Sequence, residues 1–422
     1  MNFTSMTRPC ARLALLAALS VLATACHGDA AAPPAPASQA AAPAPAAPQL
    51  AVSAPVATLG VSAPHAAPAP TSPSRVEVVE VASGLEVPWA LAFLPDGRML
   101  VTERAGRLRR VAPDGTLSAP IAGVPKVWAN GQGGLLDVAL APDFEHSGRI
   151  YLSYAEGGGE GDLAGTALGF GRLAGDRIED WTVIFRQQPK LSQGAHFGSR
   201  IVFDGKGHLF LALGENNQRP AAQRLDQLQG KVVRLNLDGS VPADNPFAGR
   251  ADARPEIWSY GHRNQQGAAL HPLTGQLWTS EHGPRGGDEI NLPQPGRNYG
   301  WPLATFGINY SGQPIPEAVG TSAPDTELPH YYFERSPALS GMAFYTAARF
   351  PAWRGSLFLG GLASRDLIRL ELDDAGGVVA EERLLVDRAP RLRDVRQGPD
   401  GYLYALSETE GTILRIGLIE AR

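Results

Sequence analysis

Cysteine is almost missing: the 422 residues hold only Cys10 and Cys26. Both precede the region with folding potential, which excludes disulfides and cysteine metal sites from it and leaves packing to stabilise the fold. Long apolar runs are also scarce. The one clear example, Ala11–Ala25, follows Arg8 and has the length and flanks of a secretory signal rather than a membrane span. No block of Lys or Arg occurs and the formal net charge is −5, so nucleic acid is not an expected partner. From Ala30 to Ser74 charge and bulky apolar residues nearly vanish, and Ala, Pro, Ser and Val dominate. Such a segment has little to bury and is expected to be a disordered spacer.

The expected organisation is therefore a signal peptide over 1–25, a linker over 26–74 and a folded domain over 75–422. Ala23-Thr24-Ala25-Cys26 has the form of a lipoprotein processing site, although its first position is Ala where Leu is commoner. Two outcomes stay open: a periplasmic or cell-envelope protein anchored through lipidated Cys26, or a cleaved, soluble periplasmic or secreted one.

Repetition decides the fold class. A Gly turn followed by a short β-rich run recurs at Gly97, Gly148, Gly207, Gly275, Gly355 and Gly401, at intervals of 51, 59, 68, 80 and 46 residues. Leu100-Val101-Thr102, Leu209-Phe210-Leu211 and Leu403-Tyr404-Ala405 are typical of these runs. The spacing suits an all-β, six-bladed β-propeller with four-stranded antiparallel blades and unequal loop insertions. The alternating segment Val76–Val81 has no marker turn, and is expected to close the ring as the outer strand of the sixth blade. An unclosed β-sandwich is the alternative.

Polar residues collect between the strands. Gln132 lies in a glycine-rich segment where backbone can approach a ligand. His196, just before an apolar run, is either a satisfied structural group or a general base, and Glu215 is placed to orient its imidazole. Arg263 and Asn264 pair a guanidinium fork with an amide, which suits anionic or carbonyl oxygens. Arg365 is a candidate second guanidinium. In Glu281–Asn291, the carboxylates of Glu281, Asp288 and Glu289 and the carbonyls of Gly283 and Pro284 are the donor types a calcium ion takes. Spacing alone selects no reaction.

Four strings are more specific: Leu213-Gly214-Glu215-Asn216, Ile257–Asn264, Glu281–Asn291 and Asn298-Tyr299-Gly300-Trp301-Pro302. Through them the chain, from about Val87 to Ile416, resembles the soluble pyrroloquinoline-quinone (PQQ)-dependent aldose sugar dehydrogenases, relatives of soluble glucose dehydrogenase. The resemblance implies a six-bladed propeller with PQQ and Ca2+ as cofactors, and oxidation of aldose sugars at C1 to aldonolactones with an external electron acceptor. It implies that His196 is the base and that Glu215 stands where glucose dehydrogenase has Asp. Arg263 would stabilise charge on the quinone, Gln132 and Asn264 would contact cofactor or pocket, and Arg365 would meet a cofactor carboxylate. Gly283 and Pro284 would hold the catalytic calcium, Glu289 and Tyr299 a second, structural one, and Asp288 would lie near the base. The competing readings are a calcium-dependent propeller lactonase and a non-catalytic exported propeller binding sugar or protein.

Overall fold

The computed structural model describes residues 64–159, 161–192 and 194–419. The signal peptide, Cys26 and the linker up to residue 63 lie outside the described residues.

β1 (Val76–Ala82) leads to six antiparallel sheets. The first holds β2 (Pro88–Phe93), β3 (Met99–Glu103) and β4 (Arg107–Val111), and the second β5 (Leu135–Leu140), β6 (Arg149–Gly157), β7 (Ala164–Ala174) and β8 (Arg177–Arg186). The third runs β9 (Ile201–Phe203), β10 (His208–Leu213), β11 (Lys231–Asn236) and β12 (Ile257–Tyr260). The fourth is β13 (Gln265–Leu270), β14 (Leu277–Glu281), β15 (Asp288–Asn291) and β16 (Tyr331–Phe333). In the fifth are β17 (Leu339–Phe344), β18 (Leu357–Gly361), β19 (Leu367–Leu372) and β20 (Val378–Leu384). β21 (Leu392–Gln397), β22 (Leu403–Ser407) and β23 (Thr412–Leu418) form the sixth, where β1 pairs with β23 from Val76 against Leu418 to Ala82 against Ile413.

That pairing joins the first and last strands of the propeller in one sheet and makes the six-bladed ring expected from the repeats. Each marker glycine connects the first two strands of a sheet, with φ between 61° and 97°, a region closed to most side chains. Apolar strand faces meet between neighbouring sheets: Trp89, Leu100 and Leu108 of the first pack on Leu135, Ile150 and Leu152 of the second.

Two expectations need correction. The first sheet has three regular strands, not four. Ser118 and Ile121 donate their N–H groups to Arg110 and Leu108 carbonyls, but Pro120 between them has no N–H to extend a ladder, and only a Val111–Leu117 bridge forms. The spacer, in turn, was expected to run to Ser74, whereas residues 64–74 pack on the propeller. Tyr332 N–H bonds the Pro64 carbonyl, Ala67 N–H the Tyr331 hydroxyl, and Glu381 N–H the Pro68 carbonyl, while Trp353 Nε1 donates to Ser74 Oγ. Composition hides this because the partners are blade-edge groups distant in sequence.

The first strands of the sheets surround the ring axis, and buried charges close it. Arg200 pairs with Asp137 at 3.2 Å and Asp394 at 3.0 Å, and Arg396 meets the same two acids. The Arg200 guanidinium also lies 4.2 Å from the Trp89 ring. On one side of this plug is a cavity of about 700 Å³ lined by all six sheets or the loops joining them.

Candidate active site

His196 sits in the turn that enters β9 and has φ +52°, unusual for a side chain larger than glycine. Neighbours hold it there. Its N–H donates to Gln132 Oε1 at 2.8 Å, and its carbonyl accepts from Asn216 N–H at 3.2 Å. Gly214 passes beneath that carbonyl, where a Cβ would come within 1.9 Å of the oxygen.

The turn at the end of β10 then brings Glu215 to His196, with Oε2 at 2.7 Å from Nδ1. Glu215 is fully buried. Since Nδ1 is engaged by a carboxylate, Nε2 is the nitrogen left to accept a proton. Glu215 N–H bonds the Arg263 carbonyl at 3.0 Å, which couples this dyad to the loop between β12 and β13.

In that loop Arg263 donates from Nη1 to the His282 carbonyl at 3.1 Å, and its guanidinium lies 5.3 Å from the Trp301 ring. Its buried Nε has no partner among the described residues. Arg263 N–H donates to Glu281, which also accepts from His262 Nδ1 at 3.0 Å. Asn264 Oδ1 accepts from Gly198 N–H at 3.2 Å and Gln266 Nε2 at 3.1 Å. Gln132, His196, Glu215 and Arg263 are thus linked by hydrogen bonds although they are far apart in sequence, and Asn264 follows Arg263 in the chain.

Arg365 falls outside this group. It is exposed, does not line the cavity, and donates from Nε to the Ala389 carbonyl at 2.6 Å. The cavity cations come instead from Arg104, Arg391 and Arg393. Arg391 and Arg393 share Glu408, at 2.6 and 2.8 Å, and Arg393 also donates to Gln266 Oε1 at 3.0 Å. By sequence pattern alone Arg391-Leu392-Arg393 reads only as a strand. Its available signal was two arginines on one face around buried Leu392.

Of the acids at the end of β14 and in β15, Glu281 and Glu289 share the Asn291 amide, whose Nδ2 lies 3.5 and 3.1 Å from them, while Asp288 binds backbone and hydroxyl donors. Asp288 accepts from Gly283 N–H at 3.0 Å, Leu339 N–H at 2.9 Å and Ser336 Oγ at 2.5 Å, and burial pushes its carboxyl up to about 6. His282, whose Nε2 meets the Leu339 carbonyl, is pushed down to about 3 by burial and by the nearby Arg263 and Arg393 charges. Glu289 pairs across strands with Glu281, and burial reinforced by that charge raises it to about 8. Tyr299 donates to the Leu292 carbonyl at 2.5 Å and stacks on His262 at 4.7 Å.

Among the described residues no cluster of three or more His, Cys, Asp or Glu side chains can hold a metal. A calcium ion near His282 would therefore rest on oxygens of another kind. The Gly283 and Pro284 carbonyls fit, since no described hydrogen bond ends on either. The cavity likewise fits a flat polycarboxylate, for which guanidinium forks are the natural partners.

The described residues thus form a closed six-bladed β-propeller with a buried His–Glu dyad near an arginine-lined axial cavity. Within that class, the chain belongs to the glucose/sorbosone dehydrogenase family, whose model matches residues 85–415. It is 58% identical over 350 residues to the aldose sugar dehydrogenase YliI of Escherichia coli K12, covering 82% of this chain and 94% of that one. A crystal structure of a glucose dehydrogenase matches with TM-score 0.79 and 63% identity, covering 81% of this chain and 99% of that one. The PQQ-bound aldose sugar dehydrogenase of Streptomyces coelicolor matches with TM-score 0.66 and 28% identity, covering 82% of this chain and all of that one (100%).

Proposed function

We propose that this dehydrogenase uses PQQ and calcium to oxidise aldoses at C1 to aldonolactones, and that His196 is its general base. The observation that carries this reading is the His196–Glu215 dyad, tied through Arg263 and Asn264 to a cavity with arginines on its far wall.

When bound, the quinone supplies the two-electron acceptor for the hydride leaving C1, and calcium polarises its reacting carbonyl. His196 Nε2 takes the proton of the C1 hydroxyl, while Glu215 holds the ring through Nδ1–H and stabilises the imidazolium that forms. The Arg263 guanidinium, braced by the His282 carbonyl and Trp301, stabilises negative charge developing on the acceptor oxygens. Asn264 and Gln132 fix the turn and the cavity wall. Arg391 and Arg393 hold carboxylates inside the cavity, with Arg365 as an outer contact. Gly283 and Pro284 hold the catalytic calcium through their carbonyls, and Glu289 with Tyr299 marks a second, structural calcium site.

The sugar loses one proton and one hydride, and an external acceptor removes the two electrons afterwards. Export through the segment before Cys26 places the enzyme in the periplasm or cell envelope, and lipidation of Cys26 would anchor it there. To test the reading, the purified chain is loaded with PQQ and calcium and offered aldoses with an artificial acceptor, with lactone measured directly. Sugar-dependent acceptor reduction with stoichiometric lactone is expected. Tight cofactor binding without oxidation of any aldose would overturn it.

A further inference from the structure

Lys231 opens β11, and both catalytic turns leave the sheet beside it. It pairs with Leu213 of β10, two residues before Glu215, and with Tyr260 of β12, three residues before Arg263. Its side chain is fully buried. Asp226, the acid whose charge reaches it, is exposed and bonded to Arg224 at 2.6 Å. Lys231 Nζ instead donates to the carbonyls of Ala221, Ala222 and Gln229 at 3.1, 2.9 and 2.6 Å. Three acceptors call for three N–H donors, which an ammonium has and a neutral amine lacks. Burial pulls the group well below its ordinary pKa, and the carbonyl bonds oppose that pull.

The three carbonyls belong to the connection from β10 to β11, which starts at Glu215. Gln218 N–H bonds the Glu215 carbonyl at 2.9 Å and Ala221 N–H bonds the Gln218 carbonyl at 2.9 Å. The hold on Ala221 is thereby carried back to the residue that orients His196. The hold on Ala222 is carried toward Arg263. The Ala222 carbonyl also accepts Gly261 N–H at 3.0 Å, the Gly261 carbonyl accepts Trp301 N–H at 2.9 Å, and Gln223 Nε2 donates to the Trp301 carbonyl at 2.7 Å. Trp301 is the ring against which Arg263 rests. Gly230, just before Lys231, accepts His262 N–H at 3.2 Å, and a Cβ on it would lie 2.3 Å from the His262 carbonyl. The connection thus meets the Arg263 loop at two backbone points, Ala222 and Gly230, with the Lys231 amine bonded between them.

We propose that Lys231 is a positioning residue for the reaction: its ammonium is a built-in monovalent cation whose carbonyl ligands hold the Glu215 turn and the Arg263 loop at a fixed separation. This rests on the reading of His196 as base and Arg263 as stabiliser of charge on the acceptor. Carbonyl oxygens hold potassium in the same manner. With the Lys231 side chain cut back, a free potassium ion should take over its role.

The test loads wild type, Lys231→Ala and Lys231→Met with PQQ and calcium, and assays glucose oxidation in potassium chloride or in choline chloride of equal ionic strength. Turnover is expressed per PQQ-binding site and measured well below each melting temperature. In choline, kcat of Lys231→Ala is expected to fall about 10- to 100-fold with glucose KM held, as for a reacting group displaced by about 1 Å. Potassium should restore most of that loss, leave wild type unchanged, and leave Lys231→Met low, because the methionine stem fills the space. Recovery of the melting temperature without recovery of kcat would mean that Lys231 only packs the connection, and would overturn the proposal. So would a loss that potassium does not restore, or wild-type kcat in choline. Should Lys231→Ala fail to fold, Lys231→Met decides: a loss of kcat of at least about tenfold with KM held supports the proposal, and a smaller loss overturns it. If wild type oxidises no aldose, the functional reading falls and PQQ titration decides instead. The positioning role then stands if Lys231→Ala binds PQQ more weakly in choline than in potassium while wild type does not. It falls if the two salts give Lys231→Ala the same affinity or PQQ does not bind.

Discussion

His196 is held in a backbone conformation that costs about 1–2 kcal/mol for a residue with a side chain. Bonds to Gln132, Asn216 and Glu215 maintain it, so the imidazole is positioned by three side chains rather than by its own preference. His196→Ala is expected to lower kcat by ~10²–10⁴-fold while PQQ binding, measured by titration, stays near wild type. Glu215→Gln keeps the volume but removes the charge that stabilises the imidazolium, so kcat should fall by at least about tenfold. Glu215→Asp should recover part of that loss, which a purely steric role would not allow. Sequence pattern exposed His196 and Glu215 because each stands alone beside an apolar run. Arg391 and Arg393 were hidden because their pairing with Glu408 depends on a turn between β21 and β22.

The loop from His282 to Asp288 responds to pH through two buried groups with opposite signs. His282, near 3 in the fold against about 6.5 when exposed, must remain neutral, so its contribution is present above pH ~6.5 and is lost as pH falls toward 3. Asp288, near 6 against an ordinary 3.8, contributes most below pH ~3.8 and loses that contribution as pH rises through 6. The two largely offset between pH 4 and 6. His282→Gln removes the first alone, and urea titrations at several pH values should then show stability falling more steeply as pH rises through that window than in wild type. The marker turns make a separate prediction. Gly355 has φ +85° and open space around its Cβ position, so Gly355→Ala should cost only about 1–2 kcal/mol, from backbone conformation, and leave sugar oxidation unchanged. Turn signals of this kind are local, and all six were legible in the sequence. The shortened first sheet was not, since the loss of its fourth strand depends on how Pro120 meets β4.

At the scale of the molecule, the axial plug joins sheets that share no regular strand ladder. Arg200, next to β9, bonds Asp137 of β5, Asp394 of β21 and the Gln266 carbonyl of β13. Arg200→Met leaves both acids buried with one cation fewer, and a loss of about 3–5 kcal/mol is expected in denaturant titrations. Ring closure is the second global device. Deleting residues 64–82 removes β1 together with its lead-in, uncovers the β23 edge, and should yield aggregated protein by size-exclusion chromatography.

The repeat spacing, the conformation-demanding glycines and the alternating first strand by themselves determined a closed six-bladed ring, because each is a consequence of local backbone geometry and apolar periodicity. The same local reading picked out His196, Glu215, Arg263 and Asn264 as polar residues beside regular strands. Only the tertiary structure decided which guanidinium groups line the cavity, that Asp288 anchors a loop, and that residues 64–74 lie against the blades. Each depends on groups from different blades meeting near the axis or rim, and the distance between blades is set by packing, not by position along the chain.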